Sequence, residues 1–172
     1  MKGGPIFDNV LAKLYNTIPE NLYDYESSAN DLTSILGVRD NCLTELAVGT
    51  GNFLSRMLER GYKIHGIDVS KEMLKIAKKK SNEYGSNVSL NHQDVKNFKL
   101  SNPTEVIYTQ NFIDLRQDGS VQFWANTENE AKKMLLSIDN NLVLGGYFCL
   151  PKKQPKKECG SFNLSVKTTS DG

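Results

Sequence analysis

The amino-acid sequence predicts an α/β fold in which a mostly parallel sheet carries helices on both faces. Two observations support this fold class. Short apolar runs of strand length alternate with segments in which apolar residues recur every three or four positions. Glycines follow several of the helical segments as stop signals. Strands and helices that alternate in this way are typical of a parallel sheet, whose ligands bind where the strands end.

The N-terminal forty residues are predicted to be helical. Phe7 to Leu14 place apolar side chains on one face, and Pro19 interrupts that pattern. A second helix is predicted from Leu22 to Leu36, and Gly37 is its expected stop. We therefore treat residues 1–40 as a segment of its own, ahead of the strands.

The elements of the sheet follow in chain order. Apolar runs predict strands at 43–48, 63–68, 88–90, 105–108 and 147–150. Helical spacing predicts three helices: one from Phe53 to Leu58 that Gly61 ends, one that begins after the N-cap Ser70 and buries Met73 and Ala77, and one from Ala131 to Leu142 that Gly145 and Gly146 end.

Two further segments interrupt or follow this order. Residues 112–124 have the pattern of a hairpin with a turn at Asp118 and Gly119. Residues 151–157 are polar and basic and are expected to form a solvated loop, and residues 162–166 alternate as a half-buried strand would.

Composition limits the classes of function. The chain has 172 residues and a formal net charge of +1, which fits one soluble domain. Nucleic acid is an unfavoured partner, since phosphate binding needs a basic excess. Without an N-terminal or membrane-length apolar run, we expect no membrane partner. The three cysteines are widely spaced and form no C-x-x-C pair, which favours a cytoplasmic protein without a metal site.

One group of residues indicates a ligand. Residues 45–51 run from a strand into a turn with two glycines, which permit positive φ and close approach of a ligand to the backbone. The helix that follows contributes unpaired N–H groups. Asp68, at the end of the next strand, can accept both hydroxyls of a ribose. This order of strand, turn, helix, strand and acid is typical of a nucleotide site on a Rossmann-like domain.

Two details favour a cationic nucleoside over a dinucleotide. Leu54 occupies the position at which a dinucleotide site has its third glycine. Glu45 lies in the strand just before the turn, where a carboxylate repels a pyrophosphate and suits a cation. S-adenosylmethionine carries an ammonium group and a sulfonium centre and has no phosphate. The residues therefore favour S-adenosylmethionine over a nicotinamide dinucleotide.

Four segments carry a resemblance to a known family. ELAVGTGNF (45–53) resembles the first motif of class I S-adenosylmethionine-dependent methyltransferases, and GIDVSKEMLKIAKKK (66–80) resembles their second. HQDV (92–95) is similar to their third-strand motif, and NNLVLGGYFCL (140–150) to the segment around their fifth strand. The resemblance is nearest to the small-molecule N-methyltransferase branch, in which a tyrosine-rich N-terminal segment closes over the cofactor.

The resemblance implies an organisation, an activity and a set of site residues. It implies an N-terminal helical lid (1–40) and a Rossmann-like methyltransferase domain (41–172) with incomplete C-terminal strands. It implies methyl transfer from S-adenosylmethionine to a small-molecule acceptor, and nitrogen is favoured over oxygen because a neutral amine needs no base. The implied cofactor contacts are Glu45, Ala47, Gly49 and Gly51 for the loop and methionine end, Asp68 for the ribose, Val69, Met73, Asp94 and Val95 for the adenine, Gln110 and Asn111 under the sulfonium, and Tyr15 and Tyr25 in the lid.

Departures from the family pattern leave alternatives open. Ala47 stands where the family has its first glycine, and a hairpin replaces the short helix expected after Tyr108. These features also fit a non-catalytic methyltransferase-like binding domain, and a nicotinamide-dependent oxidoreductase is a weaker alternative. The tyrosines of the N-terminal segment are also explained as packing aromatics, and Asp94 as an ordinary loop residue. No motif identifies a catalytic base, and the oligomeric state is open.

Overall fold

Strands of the chain form one central sheet and one separate pair. The structure is a computed structural model that describes residues 9–17, 23–37, 42–110, 112–115, 121–123 and 127–150. The strands are β1 (Cys42–Leu46), β2 (Lys63–Asp68), β3 (Val88–His92), β4 (Thr104–Thr109), β5 (Ile113–Leu115), β6 (Val121–Phe123) and β7 (Leu142–Cys149). Five of them form the parallel central sheet, in the order β3-β2-β1-β4-β7, and β5 and β6 form the separate antiparallel pair.

Helices alternate with these strands, and the predicted order is confirmed. They are α1 (Asn9–Asn16), α2 (Tyr25–Leu36), α3 (Asn52–Glu59), α4 (Lys71–Ser81) and α5 (Glu128–Asp139). The hairpin predicted after β4 is confirmed as β5 and β6, whereas its predicted turn at Asp118–Gly119 lies outside the described residues. The loop and strand expected after residue 150 also lie outside them.

Local signals explain where the helices begin and end. The Asp24 side chain accepts a hydrogen bond from the Ser27 N–H at 2.9 Å and caps α2. Gly37 ends that helix with a φ of 67°, a conformation that glycine adopts at little cost. Ser70 caps α4 by accepting from the Met73 N–H at 3.2 Å. The predicted stop at Gly37 and the predicted cap at Ser70 are both confirmed.

Each face of the sheet has its own apolar cluster, as a parallel sheet requires. On one face, side chains of α2, α3 and α4 pack on the sheet, and Leu32, Met57 and Ala77 are among the fully buried members. On the other face, Met134 and Ile138 of α5 pack together with Phe98. Since α2 shares its cluster with α3, it is packed against the sheet domain.

Strand register aligns one row of residues across the sheet. Glu45 lies beside Gly66 on one side and beside Tyr108 on the other. The row continues to Leu90 on β3 and to Cys149 on β7. A carboxyl group and a phenol thus become neighbours although they are far apart in sequence.

The last predicted helix and strand need a correction. Gly145 and Gly146 do not end the helix, because α5 ends at Asp139 and both glycines lie inside β7, which begins at Leu142. The side chain of Asn141 forms the actual stop: its amide donates to the Phe98 carbonyl at 3.1 Å and its oxygen accepts from the Leu100 N–H at 2.7 Å. Gly145 takes a φ of 79° where the pairing with β4 shifts register.

Candidate functional site

The loop after β1 forms the centre of the carboxyl edge of the sheet. Its residues 47, 49 and 51 all have left-handed backbone, with φ of 54°, 56° and 77°. The Val48 N–H donates to the Ile67 carbonyl at 3.0 Å, and the Gly51 N–H donates to the Val48 carbonyl at 3.1 Å. The loop is therefore anchored both to itself and to β2.

The two glycines of the loop serve different purposes. A Cβ on Gly51 would lie 3.1 Å from the Ala77 Cβ and 3.2 Å from its Cα, so Gly51 lets the loop approach α4. A Cβ on Gly49 would meet only the Ala47 carbonyl and a ring carbon of Tyr15, both at 3.9 Å. Gly51 is therefore needed for packing against α4, whereas a side chain at Gly49 would make only ordinary van der Waals contacts, with Ala47 and Tyr15.

Asp68 connects the end of β2 to this loop. Its two carboxylate oxygens accept from the Gly49 N–H and the Ser70 N–H, each at 2.8 Å. Burial raises the pKa of Asp68, and the two backbone hydrogen bonds oppose that shift. The carboxylate is thus held in a fixed orientation at the strand end.

Glu45 is the second carboxyl group at this edge, and it is only 2% exposed. The Tyr108 hydroxyl donates to one of its oxygens at 3.1 Å. Burial raises the pKa of Glu45 to about 8, while the Tyr108 hydrogen bond lowers it and nearby Asp68 raises it. A buried carboxyl in this state gains a charge readily when a cation arrives beside it.

Thr50 adds an unpartnered oxygen to the loop. Its side chain is buried, and its hydroxyl has no hydrogen-bond partner among the described residues. An unsatisfied buried hydroxyl is uncommon and calls for a partner from outside the protein. Together with the two carboxyl groups, this oxygen fits a ligand with ammonium and hydroxyl groups.

The tyrosines predicted for the lid lie next to the loop. Tyr15 on α1 lies against Gly49, and a side-chain hydrogen bond joins it to Tyr25. Burial, followed by the proximity of Tyr25, raises the pKa of Tyr15 well above its ordinary value. Tyr25 itself is buried and packs on Phe53 with ring centroids 6.5 Å apart. Tyr15 therefore borders the loop, whereas Tyr25 belongs to the apolar cluster that α2 and α3 form on the sheet.

The residues predicted to flank the adenine lie in two different environments. Val69 is 54% exposed just after β2, where the His92 ring nitrogen bonds its carbonyl at 2.8 Å. Met73 is buried in the first turn of α4. Of the pair, Val69 presents apolar surface at the edge.

Asp94 and Val95 follow β3. One Asp94 oxygen accepts from the Lys96 N–H at 2.9 Å, and the other lies 3.5 Å from the Lys96 ammonium. That ammonium also bonds Glu130 of α5 at 3.0 Å. Val95 is buried in the cluster on the α5 face. The turn itself engages the Asp94 carboxylate, and any role at the adenine would add to those bonds.

Gln110 follows β4 and reaches the N-terminal segment. Its amide donates to the Ser28 hydroxyl of α2 at 3.3 Å. Next to it, the Thr109 hydroxyl donates to the Leu46 carbonyl at 3.0 Å, which ties the end of β4 to the end of β1. Asn111, its predicted companion, lies outside the described residues.

Sequence reasoning missed three residues at this edge. The sequence pattern places Tyr108 in a strand and does not indicate its bond to Glu45. Nor does the sequence distinguish Thr50 within the glycine turn or connect Ser28 with Gln110. A buried tyrosine at the end of a strand next to a carboxyl group would have been the available signal, but identifying the pair requires the register of β1 on β4.

Comparisons with known proteins identify a domain family and a shared fold. A family model described as a methyltransferase domain matches residues 44–129, which is half of the chain. No curated protein sequence matches the chain. Among the described helices, none has the length and apolar character needed to span a bilayer.

Solved structures share the fold at low sequence identity. The glycopeptide N-methyltransferase MtfA complexed with S-adenosylmethionine is 19% identical, with a TM-score of 0.59, over 73% of this chain and 53% of that protein. A putative S-adenosylmethionine-dependent methyltransferase from Methanococcus maripaludis is 18% identical, with a TM-score of 0.67, over 88% and 67%. Streptomyces venezuelae DesVI is 21% identical, with a TM-score of 0.65, over 87% and 59%.

These likenesses are likenesses of fold, and the chain spans about half the length of MtfA. The family model extends from β1 through the glycine loop to the start of α5 and so contains most of the edge described above. The chain therefore belongs to the methyltransferase domain family, among the class I S-adenosylmethionine-dependent methyltransferases.

Proposed function

We propose that this chain binds S-adenosylmethionine at the carboxyl edge of its sheet and transfers the methyl group to a small-molecule acceptor. The observation that carries the proposal is the presence of two buried carboxyl groups, Glu45 and Asp68, at the loop after β1, with a Gly49 N–H bonded to Asp68. When bound, the cofactor supplies an electrophilic methyl group on a sulfonium centre.

The roles of the protein's residues follow from their surroundings. Asp68, oriented by two backbone N–H groups, binds the ribose hydroxyls. Glu45 binds the ammonium group of the amino-acid end, because ionisation of a buried carboxyl is favoured by a neighbouring cation. Thr50 offers a hydroxyl that has no hydrogen-bond partner within the described part of the chain. These three groups hold the ligand so that its reactive centre is presented to the acceptor.

The adenine and the lid account for the remaining assignments. Val69 supplies exposed apolar surface for the base, while Met73, Asp94 and Val95 stay assigned to the adenine by resemblance. Tyr15 covers the loop at Gly49. The other assigned residues are Ala47 and Gly51 in the loop, Tyr25 behind it and Gln110 at the end of β4.

The acceptor and the compartment are part of the proposal. A neutral amine attacks without prior loss of a proton, so a nitrogen acceptor needs no base from the protein, and we favour nitrogen over oxygen. Cys42 and Cys149 are free thiols, which suits a reduced cytoplasmic compartment.

Calorimetric titration tests the cofactor assignment. The purified chain is titrated with S-adenosylmethionine, S-adenosylhomocysteine and NAD. Binding of both adenosyl compounds without binding of NAD is the expected result, and it leads to a screen of amine and hydroxyl acceptors. Binding of NAD alone would replace the proposal with the oxidoreductase alternative, and binding of none would refute it for this chain.

A non-catalytic methyltransferase-like domain is the second candidate. It is favoured by Ala47, whose left-handed φ of 54° places strain in the loop after β1 (residues 47–51), which we call the cofactor loop. This candidate predicts that S-adenosylmethionine binds but that no acceptor becomes methylated. A radiolabelled methyl group that moves to any acceptor would exclude it.

A further inference from the structure

We propose that Tyr108 is a positioning residue for the ammonium group of the ligand, because its hydroxyl holds one oxygen of Glu45 and leaves the other for that group. The inference rests on the proposed function, since it concerns the same site. None of the motifs that assign the site includes Tyr108. It is carried by strand register, burial and ring packing in this chain.

Strand register places the two side chains together. Glu45 of β1 and Tyr108 of β4 are direct partners in the parallel pairing of these strands, so their side chains lie on the same face. Both are almost fully buried, and the hydroxyl lies 3.1 Å from the carboxyl oxygen. A hydrogen bond to a carboxyl in such surroundings is costly to lose.

The other neighbour of Glu45 in the row has no side chain. Gly66 of β2 lies beside Glu45, and a Cβ there would come within 2.7 Å of a Leu90 methyl carbon. The space on that side is therefore occupied by an apolar group. Along this row, Tyr108 is the residue that supplies Glu45 with a hydrogen-bond donor.

Aromatic packing fixes the orientation of the phenol. The ring of Phe53, in the first turn of α3, contacts Tyr108 edge to face with centroids 5.6 Å apart. Phe53 in turn contacts Tyr25 of α2. Because the helix that leaves the cofactor loop holds the ring, the hydroxyl has a set direction toward Glu45.

This arrangement predicts a ligand-selective defect. Without the hydroxyl, the Glu45 carboxyl loses the partner that orients it, so ligands with an ammonium group should bind less tightly. Ligands that lack the amino-acid end should be unaffected. S-adenosylhomocysteine carries that end, and 5′-methylthioadenosine has the same adenosine and sulfur without it.

The experiment compares the affinities of these two probes. Tyr108→Phe should weaken binding of S-adenosylhomocysteine about 10-fold, the factor expected for one hydrogen bond to a charged group. Binding of 5′-methylthioadenosine should not change. The matched control is Tyr62→Phe, since Tyr62 is also buried on this side of the sheet, and its hydroxyl donates to the Gly37 carbonyl away from the site. The control should leave both affinities unchanged.

A double-mutant cycle tests whether Tyr108 acts through Glu45. In a Glu45→Gln background, Tyr108→Phe should cause no further loss of S-adenosylhomocysteine affinity. If Tyr108→Phe alone fails to fold, the double variant is compared with Glu45→Gln: equal affinities support the positioning role, and a further loss overturns it. An equal loss for both probes would make Tyr108 a packing residue and overturn the inference while the proposed function stands. Failure of the wild-type chain to bind either probe would refute the proposed function and this inference with it.

Discussion

The ends of β1 and β2 bring two carboxyl groups to one edge of the sheet, but the protein holds them in different ways. Asp68 accepts hydrogen bonds from two backbone N–H groups, that of Gly49 in the cofactor loop and that of Ser70 at the start of α4. Glu45 accepts from a side chain, the Tyr108 hydroxyl, and its pKa rises to about 8. One carboxyl is thus part of the loop's own structure, and the other is held neutral near pH 7.

The two carboxyl groups should therefore act differently in ligand binding. Asp68 is already held in place in the folded protein, whereas the charge of Glu45 depends on the ligand and on pH. Asp68 is bonded to the backbone of the loop after β1, so it contributes to folding as well as to ligand binding. Substitutions at Asp68 should therefore affect both. A buried carboxyl without full compensation reduces stability until a cation binds, so Glu45 should couple binding to pH.

The largest effect is expected at Asp68. Asp68→Ala removes the acceptor for the Gly49 N–H and the Ser70 N–H and, by our proposal, the ribose contact. Binding of S-adenosylhomocysteine should weaken roughly 10- to 150-fold, as for loss of hydrogen bonds to a charged group. Calorimetry measures the affinity, and a thermal melt measures the loss of stability.

Asp139→Asn is the matched control, because Asp139 is an exposed carboxylate at the end of α5. It should change neither measurement. If Asp68→Ala lowered the melting temperature but left the affinity unchanged, Asp68 would serve the loop alone and its ribose role would be lost.

A substitution at Gly51 tests the contact between the loop after β1 and α4. An alanine there keeps a left-handed φ of 77° and brings its Cβ to 3.1 Å from Ala77. Backbone strain and overpacking together should lower the free energy of unfolding by about 2 kcal/mol or more. Chemical denaturation measures it.

Gly61→Ala separates the two contributions to that loss. Gly61 also has a positive φ, of 83°, but a Cβ there would meet nothing within 4 Å. It should cost only the backbone strain, about 1 kcal/mol. Equal losses at both glycines would mean that the approach of the loop to α4 is not tight.

The pH dependence tests the Glu45 side of the contrast. With a pKa of about 8, Glu45 is protonated in the free protein at pH 7, and a ligand ammonium group placed beside it favours its ionised form. Affinity for S-adenosylhomocysteine should therefore rise with pH up to about 8, by at most about tenfold per pH unit. Between pH 4.5, the ordinary value, and 8, the unfolded chain binds fewer protons, so the free energy of unfolding should fall as pH rises.

Glu45→Gln is the control for this behaviour, since it keeps an acceptor for Tyr108 and cannot ionise. It should flatten the rise in affinity, and calorimetry in two buffers should show that the proton release on binding is lost. The raised pKa of Asp68 also makes the free energy of unfolding fall as pH rises, and that contribution would remain in this variant. A wild-type affinity that does not change between pH 6 and 8 would contradict the proposed state of Glu45.

Sequence patterns predicted the parts of this edge that depend on nearby residues. The strand that enters the glycine turn, the cap at Ser70 and the stop at Gly37 all follow from interactions within a few positions. The start of β7 is not evident from the sequence, because two adjacent glycines are a common helix stop. The bonds that hold the chain just after α5 join the Asn141 side chain to Phe98 and Leu100, which are distant in sequence.

The partners of the site residues were not predictable for the same reason. Glu45 and Tyr108 are 63 positions apart, and Ser28 and Gln110 are 82 apart. Their pairing depends on how β4 lies along β1 and on how α2 packs beside it. Residue type alone indicated which groups can bind a cation or a ribose, and only the register shows which neighbour alters their chemistry.

The smallest effect is expected at Ala47, where the cofactor loop leaves β1. Among the described residues it is the one non-glycine with a positive φ, 54°. Ala47→Gly should relieve that strain, and the gain is partly offset by the greater freedom of the unfolded chain, so the free energy of unfolding should rise by about 0.5–1 kcal/mol. A thermal melt measures this change, and calorimetry measures the affinity. If the affinity rises together with stability, strain in the loop limits cofactor binding; if the variant is less stable than the wild type, the left-handed backbone at Ala47 is wrong. Because Ala47 follows β1 and precedes the N–H group that Asp68 binds, relief of its strain should strengthen the Asp68 side of the edge and leave the pH dependence due to Glu45 unchanged.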